Sequence, residues 1–193
     1  MNHRLPIAIA ILAGGQSRRM GQDKALLKVG DTTLLERIID VAQRLTPTVA
    51  VIGRTGERDD TRWIQDDAPG FGPLGGLKTA LTHLDQPVIL LACDMPRVDA
   101  AALQWLLEHA RESAAEHGVA TLRDGAFEPL FSFYRPALLP RIDAQLATRR
   151  LSLRRLIESG DFTRLDAPAP VGAKLLNINT PSELGALGDL ESR

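Results

Sequence analysis

Short, continuous apolar runs alternate along this chain with longer stretches in which apolar residues recur at helical spacing. That alternation predicts a sheet of buried strands with helices on both faces. Residues 7–12 form the first run, entered after Pro6 and followed by Gly14 and Gly15, and read as a strand buried on both sides. Leu34, Leu35, Ile38, Ile39, Val41, Ala42 and Leu45 share one stripe of a helix over 33–45. Strands over 48–52 and 63–64 come next, the second leading into Asp66 and Asp67. A helix over 73–84 opens on Pro73, and the run over 88–93 is the plainest buried strand.

Further along, Asp99 is placed to cap a long helix over 99–117 that Gly118 would close. Strands over 119–122 and 129–134 flank a turn at Asp124-Gly125. Helices are expected beyond Pro136, then a loop over 167–170, a final strand over 175–178 and a helix from Pro181. The predicted fold is Rossmann-like: three α/β/α layers around a mostly parallel sheet with an antiparallel strand, in one domain over 1–193.

Composition narrows the functions open to such a fold. A net charge of -1 gives no general attraction to nucleic acid or to an anionic membrane. Two Trp and one Tyr are too few for a base-stacking platform. The first apolar run is too short to span a bilayer and lacks a secretory cleavage pattern, so the cytoplasm is the expected location. Cys93 is the sole cysteine, which excludes an intrachain disulfide, and the four histidines show no metal-ligand spacing.

Candidate chemistry begins in the loop after the first strand, where open α/β sheets bind ligands. Gly14 and Gly15 let a base or phosphate approach the backbone N–H groups closely. Arg18, Arg19 and Lys24 bring three cations into one loop, suited to a triphosphate. Neither the phosphate-loop spacing nor the dinucleotide glycine pattern is present. Asp94 stands where the strand over 88–93 emerges, and Mg²⁺ commonly takes one or two carboxylates together with phosphate oxygens. As alternatives, the loop cations could be merely solvated, and Asp94 could cap the turn before Pro96. Asn179 or Thr180 can cap a helix entered through Pro181, while Asn177 offers a polar side chain at the sheet's edge.

Taken in order, these segments resemble the molybdenum cofactor guanylyltransferases. The matching residues are Leu12-Ala13-Gly14-Gly15, then Arg19-Met20-Gly21 and Lys24, then Asp66. Gly72-Pro73-Leu74, Cys93-Asp94-Met95-Pro96 and Asn177-Ile178-Asn179-Thr180-Pro181 follow. The resemblance implies transfer of GMP from GTP to molybdenum-loaded molybdopterin, with release of pyrophosphate. It also implies that Leu12, Ala13 and Gly14 hold the guanine and that Gly15 marks the guanylyl branch. Arg19 and Lys24 would embrace the triphosphate, and Asp66, or Asp67 if the register differs, would contact the nucleotide. Asp94 would bind nucleotide and Mg²⁺, and Arg19, Lys24 and Asp94 would form the catalytic set. Asn177 and Asn179 would border the acceptor, giving a nucleotide-binding first half and an acceptor-binding second half. Transient contact with cofactor-synthesis or recipient proteins is implied as well. A cytidylyl- or sugar-phosphate transferase of the same fold, or a non-catalytic carrier of GTP and molybdopterin, would share most of these features.

Overall fold

The computed structural model describes residues 6–14 and 23–176. In chain order, β1 (Ala8–Leu12) is followed by a 3-10 turn (Lys24–Leu26), then by β2 (Lys28–Val29) and β3 (Thr32–Thr33). Next come α1 (Leu34–Gln43), β4 (Val49–Ile52), β5 (Arg62–Ile64), α2 (Gly72–Leu84) and β6 (Val88–Ala92). The remainder comprises α3 (Ala100–Glu112), β7 (Gly118–Arg123), β8 (Ala126–Phe127), β9 (Phe131–Tyr134), α4 (Leu139–Ala147), α5 (Leu153–Glu158), β10 (Phe162–Asp166) and α6 (Ala169–Gly172). The main sheet runs β10-β7-β9-β6-β1-β4-β5, with β8 paired to β7. Strand β9 is antiparallel to both its neighbours, while β1, β4, β5 and β6 are mutually parallel.

Alternation along β1 assigns the layers. Ile9 and Ile11 face α1 and α3, where Leu35, Ile38, Ile39, Leu103 and Leu106 close one half of the core. Ala8 and Ala10 face α2, α4 and α5 with Leu74, Leu77, Leu81, Ile142 and Leu156. The small β1 residues on this second face suit a close-lying helix: a Cβ added at Gly76 of α2 would sit 2.7 Å from the Leu12 side chain. Helix α1 starts with a reciprocal cap, in which Glu36 N–H donates to Thr33 Oγ1 at 3.1 Å and Thr33 N–H donates to Glu36 Oε2 at 2.7 Å. The turn from β7 to β8 has Asp124 and Gly125 both at positive φ (52° and 75°), as a two-residue hairpin turn requires. Among the described residues, no helix is long and apolar enough to cross a membrane.

Several sequence expectations change. The helix expected over 99–117 ends at Glu112, although Asp99 does cap it, accepting from Ala102 N–H at 2.9 Å. Beyond it, Glu116 N–H and His117 N–H donate to the Asp161 carboxylate and carbonyl at 2.8 and 3.0 Å. Tertiary pairing thus overrides helix propensity in this stretch, and Gly118 begins a strand instead of closing a helix. Strand β10 escapes the sequence pattern because it is a sheet edge, with exposed Thr163, Arg164 and Asp166 that mask its alternation. The expected loop over 167–170 contains the start of α6, and the strand over 129–134 begins only at Phe131, after a turn closed by Phe131 N–H to the Glu128 carbonyl at 2.9 Å. Leu175 and Leu176 are not in a strand; the rest of that expected strand and the helix from Pro181 lie outside the described residues.

Gly118 shows how tightly the second half of the sheet closes. Its φ is +140°, and an added Cβ would fall 2.0 Å from the Phe133 carbonyl oxygen. We expect Gly118→Ala to destabilise the fold by about 3 kcal/mol, through left-handed backbone strain and overpacking. Urea unfolding measures this, and an unchanged midpoint would contradict the close approach.

Candidate nucleotide site

Sheet register brings the chemistry together. Leu12 is level with Ile52 of β4 and Ala92 of β6, and Ile52 is level with Ile64 of β5. The ladder continues past the strands: Cys93 N–H donates to the Leu12 carbonyl, Ala13 N–H to Ile52 and Gly53 N–H to Ile64, at 3.2, 3.1 and 2.8 Å. Residues one or two past each strand end, Gly14, Gly53, Asp94 and Asp66, therefore emerge along one edge. A cleft of about 1090 Å³ lies there, lined in part by Leu12, Ala13, Gly14, Lys24, Asp66 and Asp94.

The floor of the cleft is backbone. Gly14 and Gly53 are so close that a Cβ on Gly14 would sit 2.8 Å from Gly53 Cα, and one on Gly53 would sit 2.7 Å from Gly14 Cα. Gly53 also has φ +85°, so glycine is required there twice over. The first turn of α2 contributes Gly72, Pro73 and Gly76 to the wall. Its N-terminal amides bring partial positive charge to the cleft.

Two adjacent residues, Asp23 and Lys24, are tied to the strand ends on either side of β1. Asp23 caps the 3-10 turn, accepting from Ala25 N–H at 3.0 Å, and forms an ion pair with Arg54, which follows β4. Lys24 Nζ donates to Asp94 Oδ2 at 3.1 Å, with each side chain 19% exposed. Arg54 is itself followed by a loop anchored through Arg58, which bonds Asp40 at 2.8 Å and Asp60 and Gln43 at 3.1 and 2.9 Å.

Asp66 and Asp67 take different positions. Asp66 lines the cleft and accepts through Oδ1 from Thr79 Oγ1 and Ala68 N–H, each at 3.0 Å. Asp67 is exposed and pairs instead with His83, at 2.7 Å. Lys24 and Asp94 are thus brought together, with Asp66 across the same cleft, and Leu12, Ala13 and Gly14 lie at and just past the end of β1. Gly15, Arg19, Asn177 and Asn179 lie outside the described residues. Arg149, Arg150, Arg154 and Arg155 are all exposed. Sequence reasoning missed Arg54, Asp23 and Thr79, and only the cap-like position of Asp23 before the turn could have signalled any of them.

A model of the MobA-like NTP transferase domain matches residues 9–165, spanning the sheet and the cleft. The chain belongs to the MobA-like NTP transferase family. It is 34% identical over 93% of its length to the "Probable molybdenum cofactor guanylyltransferase" of Synechococcus elongatus, covering 97% of that protein. To the protein of the same description from Mycobacterium avium it is 36% identical, with 97% of this chain and 98% of the relative covered. Among solved structures, molybdopterin-guanine dinucleotide biosynthesis protein A from Archaeoglobus fulgidus aligns with a TM-score of 0.81 at 20% identity, over 96% of this chain and 98% of that one. A 2-C-methyl-D-erythritol 4-phosphate cytidylyltransferase from Francisella tularensis shares the fold at a TM-score of 0.66 and 14% identity, covering 94% and 97%. Both structural neighbours fall at identities that speak to architecture alone.

Within this family site, Cys93 behaves as packing. Burial, followed by the charges of Asp94 and Asp23, pushes its thiol up to about 12. It therefore stays protonated near neutral pH and is a poor nucleophile. In the folded protein we expect iodoacetamide to alkylate Cys93 far more slowly at pH 8 than it alkylates the urea-unfolded chain. The raised value also opposes folding as pH climbs above the ordinary thiol value of 9.0, because only the unfolded chain then loses the proton. Cys93→Ala should consequently lose less stability than wild type between pH 9 and 10, measured by urea unfolding at each pH.

Proposed function

We propose that this protein transfers GMP from GTP to molybdopterin-bound molybdenum cofactor, yielding the guanine dinucleotide form and pyrophosphate. The observation that carries this reading is the Lys24–Asp94 pair, set at 3.1 Å on a glycine-floored cleft in a member of a nucleotidyltransferase family. Support for the acceptor comes from relatives at 34% and 36% identity described as molybdenum cofactor guanylyltransferases.

In the reaction, an oxygen of the acceptor's terminal phosphate forms a bond to the α-phosphorus of GTP. The bond from that phosphorus to the bridging oxygen breaks, and its electron pair leaves with pyrophosphate. A phosphate monoester is already largely ionised near neutral pH, so no side chain is needed as general base. The protein's task is alignment and charge neutralisation.

Mg²⁺ fits the donor set at the cleft. Asp94 offers one carboxylate, and no cluster of three or more metal-ligating side chains exists among the described residues. An ion that completes its shell with phosphate oxygens and water suits such a sparse site. Held by Asp94, the ion would supply neutralisation of charge on the phosphates.

The chain's own groups do the rest. Lys24 exchanges its contact with Asp94 for phosphate oxygens as the nucleotide enters, so the pair keeps each group placed and neutralised beforehand. Backbone from Leu12 to Gly14 supports the guanine, and the first turn of α2 adds N–H groups to the wall. Arg19 joins Lys24 on the triphosphate, while Asn177 and Asn179 border the acceptor in this reading.

Lys24→Ala and Asp94→Asn should each leave a folded protein, by circular dichroism, whose kcat for pyrophosphate release falls by about 100-fold or more. The assay supplies GTP, Mg²⁺ and molybdenum-loaded molybdopterin. Wild-type turnover in either variant would overturn the assignment.

A further inference from the structure

We propose that Thr79 is the positioning residue that presents the carboxylate of Asp66 to the nucleoside part of the substrate, an inference that rests on the cleft being a nucleotide site. Thr79 is fully buried on α2, on a helix that otherwise gives the core Leu74, Leu77, Ala80, Leu81 and Leu84. Packing alone would be served by valine, which has nearly the same shape. The hydroxyl is instead used twice: Oγ1 donates to Asp66 Oδ1 at 3.0 Å and accepts from Asp67 N–H at 3.1 Å.

One hydroxyl therefore decides which of two consecutive carboxylates enters the cleft. Asp66 is drawn inward over α2, and Asp67 is left outside with His83. Oδ1 of Asp66 is taken up by Thr79 and by Ala68 N–H at 3.0 Å. Among the described residues, Oδ2 has no hydrogen-bond partner, and it belongs to a side chain that lines the cleft. Without Thr79 only the Ala68 amide would orient the carboxylate, whose terminal torsion is intrinsically broad.

An ionised carboxylate oxygen only accepts hydrogen bonds and repels phosphate. Oδ2 is thus suited to donors on the nucleoside, either ribose hydroxyls or base N–H groups. Such a contact is remote from the reacting phosphorus and strengthens ground-state and transition-state binding alike. Its loss raises KM and leaves kcat nearly unchanged.

The test is steady-state pyrophosphate release with GTP varied, for wild type, Thr79→Val, Thr79→Ser, Asp66→Ala and the Thr79→Val/Asp66→Ala double variant. Thr79→Val should raise the GTP KM about tenfold with kcat within about twofold, and Thr79→Ser should stay within about twofold of wild-type KM. On the Asp66→Ala background, Thr79→Val should add nothing further. Comparing 2′-deoxy-GTP, 3′-deoxy-GTP and ITP identifies the donor, because the analogue lacking it escapes the Thr79→Val penalty, and a penalty kept by all three assigns the guanine N1–H. A wild-type KM in Thr79→Val, or defects that multiply in the double variant, would overturn the role of Thr79 alone. A fall in both kcat and melting temperature that Ser does not rescue would reduce Thr79 to packing and overturn it too. If Thr79→Val does not fold, Thr79→Ala carries the same comparisons. Absence of release from wild type would overturn the nucleotide reading beneath.

Discussion

The structure depends on the register of β1 between β4 and β6. Because Leu12, Ile52 and Ala92 end level, the three strands stop together, and their following residues must share one edge. The contact between the Gly14 and Gly53 backbones is a direct product of that alignment. A side chain at either position would drive the ends of β1 and β4 apart at the floor of the cleft. A slip of one residue in β1 would also exchange its core-facing sets, sending Ile9 and Ile11 toward the helices that Ala8 and Ala10 now meet.

Charge then organises what register has assembled. Asp23 and Lys24 are consecutive, yet they pair outward to opposite neighbours of β1, Arg54 beyond β4 and Asp94 beyond β6. The return of the first loop is thereby fastened across the sheet edge by two bonds of opposite polarity. Such partly exposed pairs add little to stability. Their value lies in placing a cation and a carboxylate a few ångströms apart with neither left unpaired. Opposite this pair, the Asp66 region is fixed by hydrogen bonds to the buried face of α2, so the two sides of the cleft are held by different means.

Much of this was legible in the sequence where a single physical rule governs a segment. Strands β1 and β6 announce themselves because both faces are buried and the run is continuously apolar. Helix α1 does so through its stripe of apolar residues. Lys24, Asp66 and Asp94 could be picked out because motif order and strand ends coincide. What the sequence hid depends on partners distant along the chain. The end of α3 is set by Asp161, β10 is an edge strand of polar residues, and the bond from Thr79 to Asp66 spans a loop and a helix with no local signature. Arg54 was passed over for the same reason, since its partner Asp23 lies 31 residues earlier in the chain. Arg19, Asn177 and Asn179 were named from local chemistry and motif, and lie outside the described residues.

The most direct measurement follows the label of GTP carrying ³²P at the α-position, in parallel with similarly labelled CTP, ATP and UTP, in the presence of Mg²⁺ and molybdenum-loaded molybdopterin. Guanylyl transfer moves the α-label of GTP, and of no other nucleotide to a comparable extent, into a pterin-containing product while unlabelled pyrophosphate appears in equal amount. Label from CTP entering the product in preference to GTP would contradict the base assignment. Folded protein that binds GTP yet moves no label from any nucleotide would contradict the transferase function itself.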